Sequence, residues 1–175
     1  MDLGLSGKIV VVSGGGGRRG SVGETIVRAI AREGGIPVIL DMDPRGAHLM
    51  ADLNASGQES FFVESDLMTP EGCEKAIGTT LDQYGRIDAV VNNLGSNDNV
   101  GLDGSYEEFI NSLKLNLIHL FLLVKHSRDA LVASQGNILS IGSKVAASNR
   151  LLSSGTELPQ GGPSSGSSSV SIGCK

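Results

Sequence analysis

Residues 8–23, Lys-Ile-Val-Val-Val-Ser-Gly-Gly-Gly-Gly-Arg-Arg-Gly-Ser-Val-Gly, read as a buried strand, a glycine-rich turn and the start of a helix. The N–H groups at such a helix start have no partner within the helix. Together with the positive end of the helix dipole they hold a phosphate or diphosphate. Glycines permit positive φ there and let a ligand come close to the backbone. Ser13, Gly14, Gly20, Val22 and Gly23 are the candidate contacts. Asp41 ends the next apolar run, eighteen residues beyond Gly23. That is near the ~20-residue spacing at which a carboxylate accepts hydrogen bonds from the ribose of a dinucleotide. A carboxylate in that place repels a 2′-phosphate and so favours NAD over NADP. Arg18 and Arg19 pull the other way, since a guanidinium pairs well with phosphate. Asp41 carries more weight, because loop arginines are often simply solvated.

These residues need a scaffold, and the apolar pattern supplies one. Ile9–Ser13, Pro37–Asp41, Phe61–Glu64, Ile87–Asn92 and Gly136–Ile141 read as strands. Between them lie amphipathic stretches: Val22–Glu33, Asp43-Pro44 through Ala55, Thr69-Pro70 through Tyr84, and a long helix from Tyr106 to Ala133. Aspartate or threonine before proline suits a helix start, and Gly85 suits a helix end. Strands alternating with helices imply right-handed crossovers and a parallel sheet covered on both faces. The expectation is an α/β, Rossmann-like doubly wound parallel sheet in the order 3-2-1-4-5. Its ligand crevice should lie where the order reverses, between strands one and four. Residues 1–150 make one domain. Residues 151–175 are rich in Gly and Ser, lack an apolar period and read as a flexible tail.

Composition narrows the function classes. The chain has 175 residues and a net charge of −5, with no basic block longer than Arg18-Arg19. That argues against a nucleic-acid or anionic-membrane surface and leaves a small molecule as the expected partner. The first residues, Met-Asp-Leu-Gly-Leu-Ser, do not read as a signal peptide, since no basic stretch is followed by an apolar run. The longest apolar run, Leu115 to Val124, is interrupted by Asn116 and His119 and is too short to span a bilayer. Two cysteines without metal spacing fit a reducing compartment, and a cytoplasmic location is expected. His48, His119 and His126 have no spaced acidic or cysteine partners and read as surface or packing residues.

In order along the chain stand Ser13-Gly14 with Gly20 and Gly23, Ser65-Asp66-Leu67, Asn92-Asn93-Leu94-Gly95, Asn116 and Ser143. Over residues 7 to about 147 this series resembles the short-chain dehydrogenases/reductases. The resemblance implies hydride transfer between NAD(P) and a secondary alcohol or carbonyl, with a sugar, polyol or 3-oxoacyl type of substrate. It implies cofactor contacts at Asp66, to the adenine amine, and at Leu67. Asn92 would brace the sheet beside the cofactor, and Gly95 would keep the backbone clear of the nicotinamide ribose. As catalytic residues it implies Asn116, holding a water in a proton relay, and Ser143, hydrogen-bonded to the substrate carbonyl.

The sequence departs from that family in four places. The glycine loop is longer than Thr-Gly-x-x-x-Gly-x-Gly, Ser13 replaces threonine, and Leu94 stands where alanine is usual. The family's general acid/base is a tyrosine followed four residues later by lysine. Here the only tyrosines, Tyr84 and Tyr106, both precede Ser143. Ser154-Gly-Thr-Glu-Leu-Pro-Gln-Gly-Gly162 resembles the family's last-strand signature, as if an intervening stretch were absent. The sheet is therefore expected to be incomplete on its C-terminal side, with strand five an exposed edge. Activity in this chain is expected to be impaired. The alternative is an inactive NAD-binding or oligomerisation module, a truncated or splice form, associating through helix 106–133 as a homo-oligomer.

Overall fold

The structure, a computed structural model, describes residues 3–142. Ser143, Lys144 and the expected tail lie outside the described residues. The centre of the molecule is β1 (Ile9–Ser13), buried at all five positions. A strand covered on both faces has no polar side, which is why its sequence is a continuous β-branched run rather than an alternation. On one side it pairs in parallel with β2 (Ile36–Asp41), and beyond that lies β3 (Phe61–Glu64). On the other side come β4 (Ala89–Asn92) and then β5 (Asn137–Ser140). The order β3-β2-β1-β4-β5 is the one expected.

Successive residues of β1 point to opposite faces. Val10 and Val12 pack with Val27 and Ile30 of α1 (Val22–Arg32) and with Leu49 and Leu53 of α2 (Arg45–Ala55). Val11 packs with Cys73 and Ile77 of α3 (Pro70–Tyr84) and with Leu123 on the opposite face. The ends of α3 follow the expected chemistry. The Thr69 hydroxyl accepts from the Gly72 amide at 3.1 Å, and Gly85 closes the helix at φ 67°. At α2 the Asp43 carboxylate accepts from the Arg45 amide at 2.9 Å, so the helix proper begins one residue after Pro44.

The long helix differs from expectation. Three segments make it up: α4 (Tyr106–Leu113), a π-turn over Lys114–Ile118, and α5 (His119–Ser134). An apolar run gives no sign of one extra residue in a turn, because both α and π geometry satisfy it. What holds the turn is polar. The Asn116 side chain donates to the Ser112 carbonyl at 3.1 Å, and a ring nitrogen of His119 lies 3.1 Å from the Lys114 carbonyl. Among the described residues the outer face of this helix is uncovered: Tyr106, Phe109, Leu117 and Phe121 are all more than half exposed. Among the described residues β5 pairs with β4 alone, and its own Leu139 is exposed.

Asp88 ties the two central strands at their N-terminal ends. Its buried carboxylate accepts from the Ile9 amide at 2.9 Å and from Arg86 and Lys8 at 2.5 and 3.2 Å. Burial alone would raise its pKa, but these donors outweigh that and hold it below the usual carboxylate value. A lowered folded pKa stabilises the fold above the unfolded value of about 4, and the contribution is lost as pH falls through the folded pKa. Asp88→Ala is therefore expected to cost about 2–3 kcal/mol at neutral pH. Denaturant melts of both proteins at pH 7 and pH 3 should show that penalty shrinking in acid.

Candidate functional site

At the C-terminal ends of β1 and β4, where the strand order reverses, a cleft of about 790 Å³ opens. Its floor is a knot of hydrogen bonds. The buried Ser13 hydroxyl accepts from the Asn93 and Leu94 amides, each at 3.1 Å, and donates to Asn92 Oδ1 at 3.1 Å. The Asn93 side-chain Nδ2 donates back to the Ser13 and Gly14 carbonyls at 3.2 and 3.0 Å. The two adjacent asparagines thus bolt the end of β4 onto the start of the glycine turn.

Glycine is required at two points of this knot. Gly14 has φ 64°, and a Cβ there would lie 3.0 Å from Leu94 Cα. A Cβ on Gly23 would lie 2.2 Å from the Gly14 carbonyl oxygen. The first turn of α1 therefore presses its backbone directly on the turn. Gly14 and Gly23 are the two ends of the motif, and the additional residues bulge out between them.

That bulge redistributes the expected roles. The Gly20 amide is taken by the Glu24 carboxylate, and Gly20 does not line the cleft. Hydrogen bonding from Arg28 at 2.8 Å is the main force lowering the Glu24 pKa, against an opposing contribution from burial. Ser21, which the sequence reading passed over, does line the cleft, and its hydroxyl caps α1 by accepting from the Glu24 amide at 3.2 Å. The signal was present: a serine followed three residues later by glutamate marks a helix N-terminus. Gly17 is a second wall residue the reading missed.

Asp41 stands at the rim with both oxygens engaged. Oδ2 accepts from the Gly16 amide at 2.9 Å and Oδ1 from the Asp43 amide at 3.0 Å. Val22, Gly95 and Asn116 complete the wall with Asn92. Asn116 Oδ1 accepts from the Ser96 amide at 2.9 Å, so the π-turn fixes the loop that follows β4. Asp66 is elsewhere, in a depression of about 470 Å³ with Met42, Glu64 and Lys75. The Leu67 side chain lies in the core, so only its backbone is available to a ligand. Ser143 lies outside the described residues. Among the described residues no cluster of His, Cys, Asp and Glu could hold a metal ion, and no helix is long and apolar enough to cross a membrane.

A glycine turn packed against a helix start, a carboxylate ending the second strand and a cleft at the reversal of strand order define a dinucleotide-binding α/β protein. The chain belongs to the short chain dehydrogenase family, whose model matches residues 8–154. It is 35% identical over 144 residues to L-fucose dehydrogenase of Mus musculus, an alignment covering 81% of this chain and 50% of that protein. Among solved structures, Cj0485 dehydrogenase is 33% identical with a TM-score of 0.77, covering 84% of this chain and 55% of its own. L-sorbose reductase from Gluconobacter frateurii, solved with NADPH and L-sorbose, is 25% identical with a TM-score of 0.78, covering 84% and 56%. The chain spans about half the length of the curated relatives it matches.

The glycine contacts are separable by substitution. Gly23→Ala is expected to destabilise the fold by about 3 kcal/mol through overpacking on the Gly14 carbonyl. Gly78→Ala, in the interior of α3 with open space around it, is expected to stabilise by up to about 1 kcal/mol. Thermal melts of the two variants should move in opposite directions.

Proposed function

We propose that this chain carries the coenzyme half of an oxidoreductase that moves hydride between NAD(P) and a secondary alcohol or carbonyl of a sugar or polyol. The observation that carries the reading is the Ser13–Asn92–Asn93 knot, which holds a glycine turn, a helix N-terminus and a strand-end carboxylate around one cleft. The diphosphate would lie against the start of α1, where the dipole and free amides favour negative charge. Asp41 would accept the ribose hydroxyls. Held by two amides, it presents a fixed negative charge to any 2′-phosphate, which supports NAD over NADP. Asp66 would hydrogen-bond the adenine, in the depression beyond Asp41. The named activities of L-fucose dehydrogenase and L-sorbose reductase support a sugar as substrate.

On the substrate side, Gly95 leaves room for the nicotinamide ribose: a Cβ there would lie 3.0 Å from Asn116 Oδ1. Asn116 would hold water, and Ser143 would donate to the substrate carbonyl. The proton donor is what the described residues lack. Tyr84 packs edge-on against Phe61, away from the cleft, and burial pushes its hydroxyl up to about 12. Tyr106 is exposed at the start of α4 and does not line the cleft either. Neither can protonate a carbonyl bound beside Asn116.

Turnover by this chain alone is therefore slow or nil. The second reading follows from the uncovered apolar face of the long helix: a coenzyme-holding module that associates through residues 106–134, as a homo-oligomer.

Calorimetric titration tests the first reading. NAD should bind, NADP should bind more weakly, and Asp41→Ala should weaken NAD by about tenfold while narrowing that preference. Failure of both coenzymes to bind the folded chain would overturn it. Assays with L-fucose and other sugars should show turnover near zero.

A further inference from the structure

His119 is fully buried, yet no role in the reading above uses it. Its surroundings fix what it must do. The Ser13 hydroxyl spends both lone pairs on the Asn93 and Leu94 amides, so its proton goes to the Asn92 side-chain oxygen. It is therefore that oxygen which lies 2.6 Å from His119 Nε2. A close contact between two acceptors is repulsive, so Nε2 must carry a proton. The other ring nitrogen, Nδ1, lies 3.1 Å from the Lys114 carbonyl, which can only accept. Both ends of the ring thus face acceptors, and only the imidazolium fills both. A neutral ring leaves one contact unmade.

We infer that His119 is a positioning residue of the cleft which, when its ring is protonated, clamps the Asn92 amide at the end of β4 to the π-turn that carries Asn116 by donating at both ends. For its effect on coenzyme, this rests on the functional reading above. Asn92 and Asn116 both line the cleft, and Asn116 in turn holds the Ser96 amide. Protonation of one buried ring therefore governs how firmly two wall residues are held. Burial opposes the charge and outweighs the upward pull of the Lys114 carbonyl, so the ring lies below the usual histidine pKa and the double donor forms on the acid side. The groups facing the ring are uncharged: Asn92 on β4, Ser13 behind it on β1, and the Lys114 carbonyl. On α3 the buried titratable group is the Cys73 thiol, which is bonded to the Leu67 carbonyl at 3.3 Å. On α5, Lys125, Arg128 and Asp129 are exposed and His126 is half-buried.

The test uses the full chain with His119→Phe, which keeps the volume but removes both donors, and His119→Gln, which restores one. Amide and side-chain spectra are followed from about pH 5 to 8, where histidine titrates, alongside calorimetry with NAD. In the unaltered chain the Ser96 amide and Asn92 side-chain signals should move together with pH. The Kd for NAD should rise by about tenfold as the proton leaves. The Phe variant should lose the titration and bind NAD more weakly than the unaltered chain does even at alkaline pH. The Gln variant should bind at about the alkaline level of the unaltered chain, with no pH dependence. A folded Phe variant with the original Kd and pH profile overturns the inference, as do unaltered signals that never move. If the unaltered chain binds neither coenzyme, the functional reading fails, and the spectra alone decide the clamp. If the Phe variant does not melt cooperatively, the Gln variant decides it.

Discussion

The cleft exists because one backbone carbonyl, that of Gly14, touches the first turn of α1 with nothing between them. Any side chain at position 23 would push the helix off the turn and move its N-terminal amides away from the strand ends. The same carbonyl accepts from Asn93, so one oxygen atom joins β1, α1 and the end of β4. Close backbone approach makes the site rigid, and rigidity suits a surface that must match a diphosphate atom by atom. The glycines and asparagines here act less as flexible residues than as small ones, admitted where three elements converge.

The long helix adds a second level of order. Its π-turn is an irregularity in a sequence that otherwise favours plain α-helix, and it survives because polar groups take up the displaced carbonyl. It serves to turn Asn116 toward the loop after β4 while Leu123, further along, stays in the core. One helix thereby packs against the sheet and furnishes a wall of the cleft. Its opposite face is apolar and, among the described residues, uncovered.

Much of this was legible beforehand, for physical reasons. The strands announced themselves because buried parallel strands are unbroken apolar runs, and the strand order followed from the handedness of their crossovers. Thr69 and Gly85 marked the ends of α3 because capping chemistry is local. Gly14, Gly23 and Asp41, singled out by their spacing, line one cleft with Asn92 and Asn116, which the family resemblance implied. What could not be read was the path of the chain between Gly14 and Gly23, since extra glycines can bulge in many ways. Gly20 was accordingly expected at the ligand and instead bonds Glu24. His119 read as a surface or packing residue because its partners, Asn92 and a main-chain carbonyl, carry no sequence mark of their relation to it.

Asp88 has a consequence for how the chain comes off the ribosome. It joins Ile9 to a residue 79 positions later, and β1 occupies the middle of the sheet while being made first. Until β4 emerges, the nascent β1–β2–β3 portion carries an open hydrogen-bonding edge along its most apolar strand. Synthesis speed through residues 42–88 therefore sets how long that edge is exposed to other nascent chains.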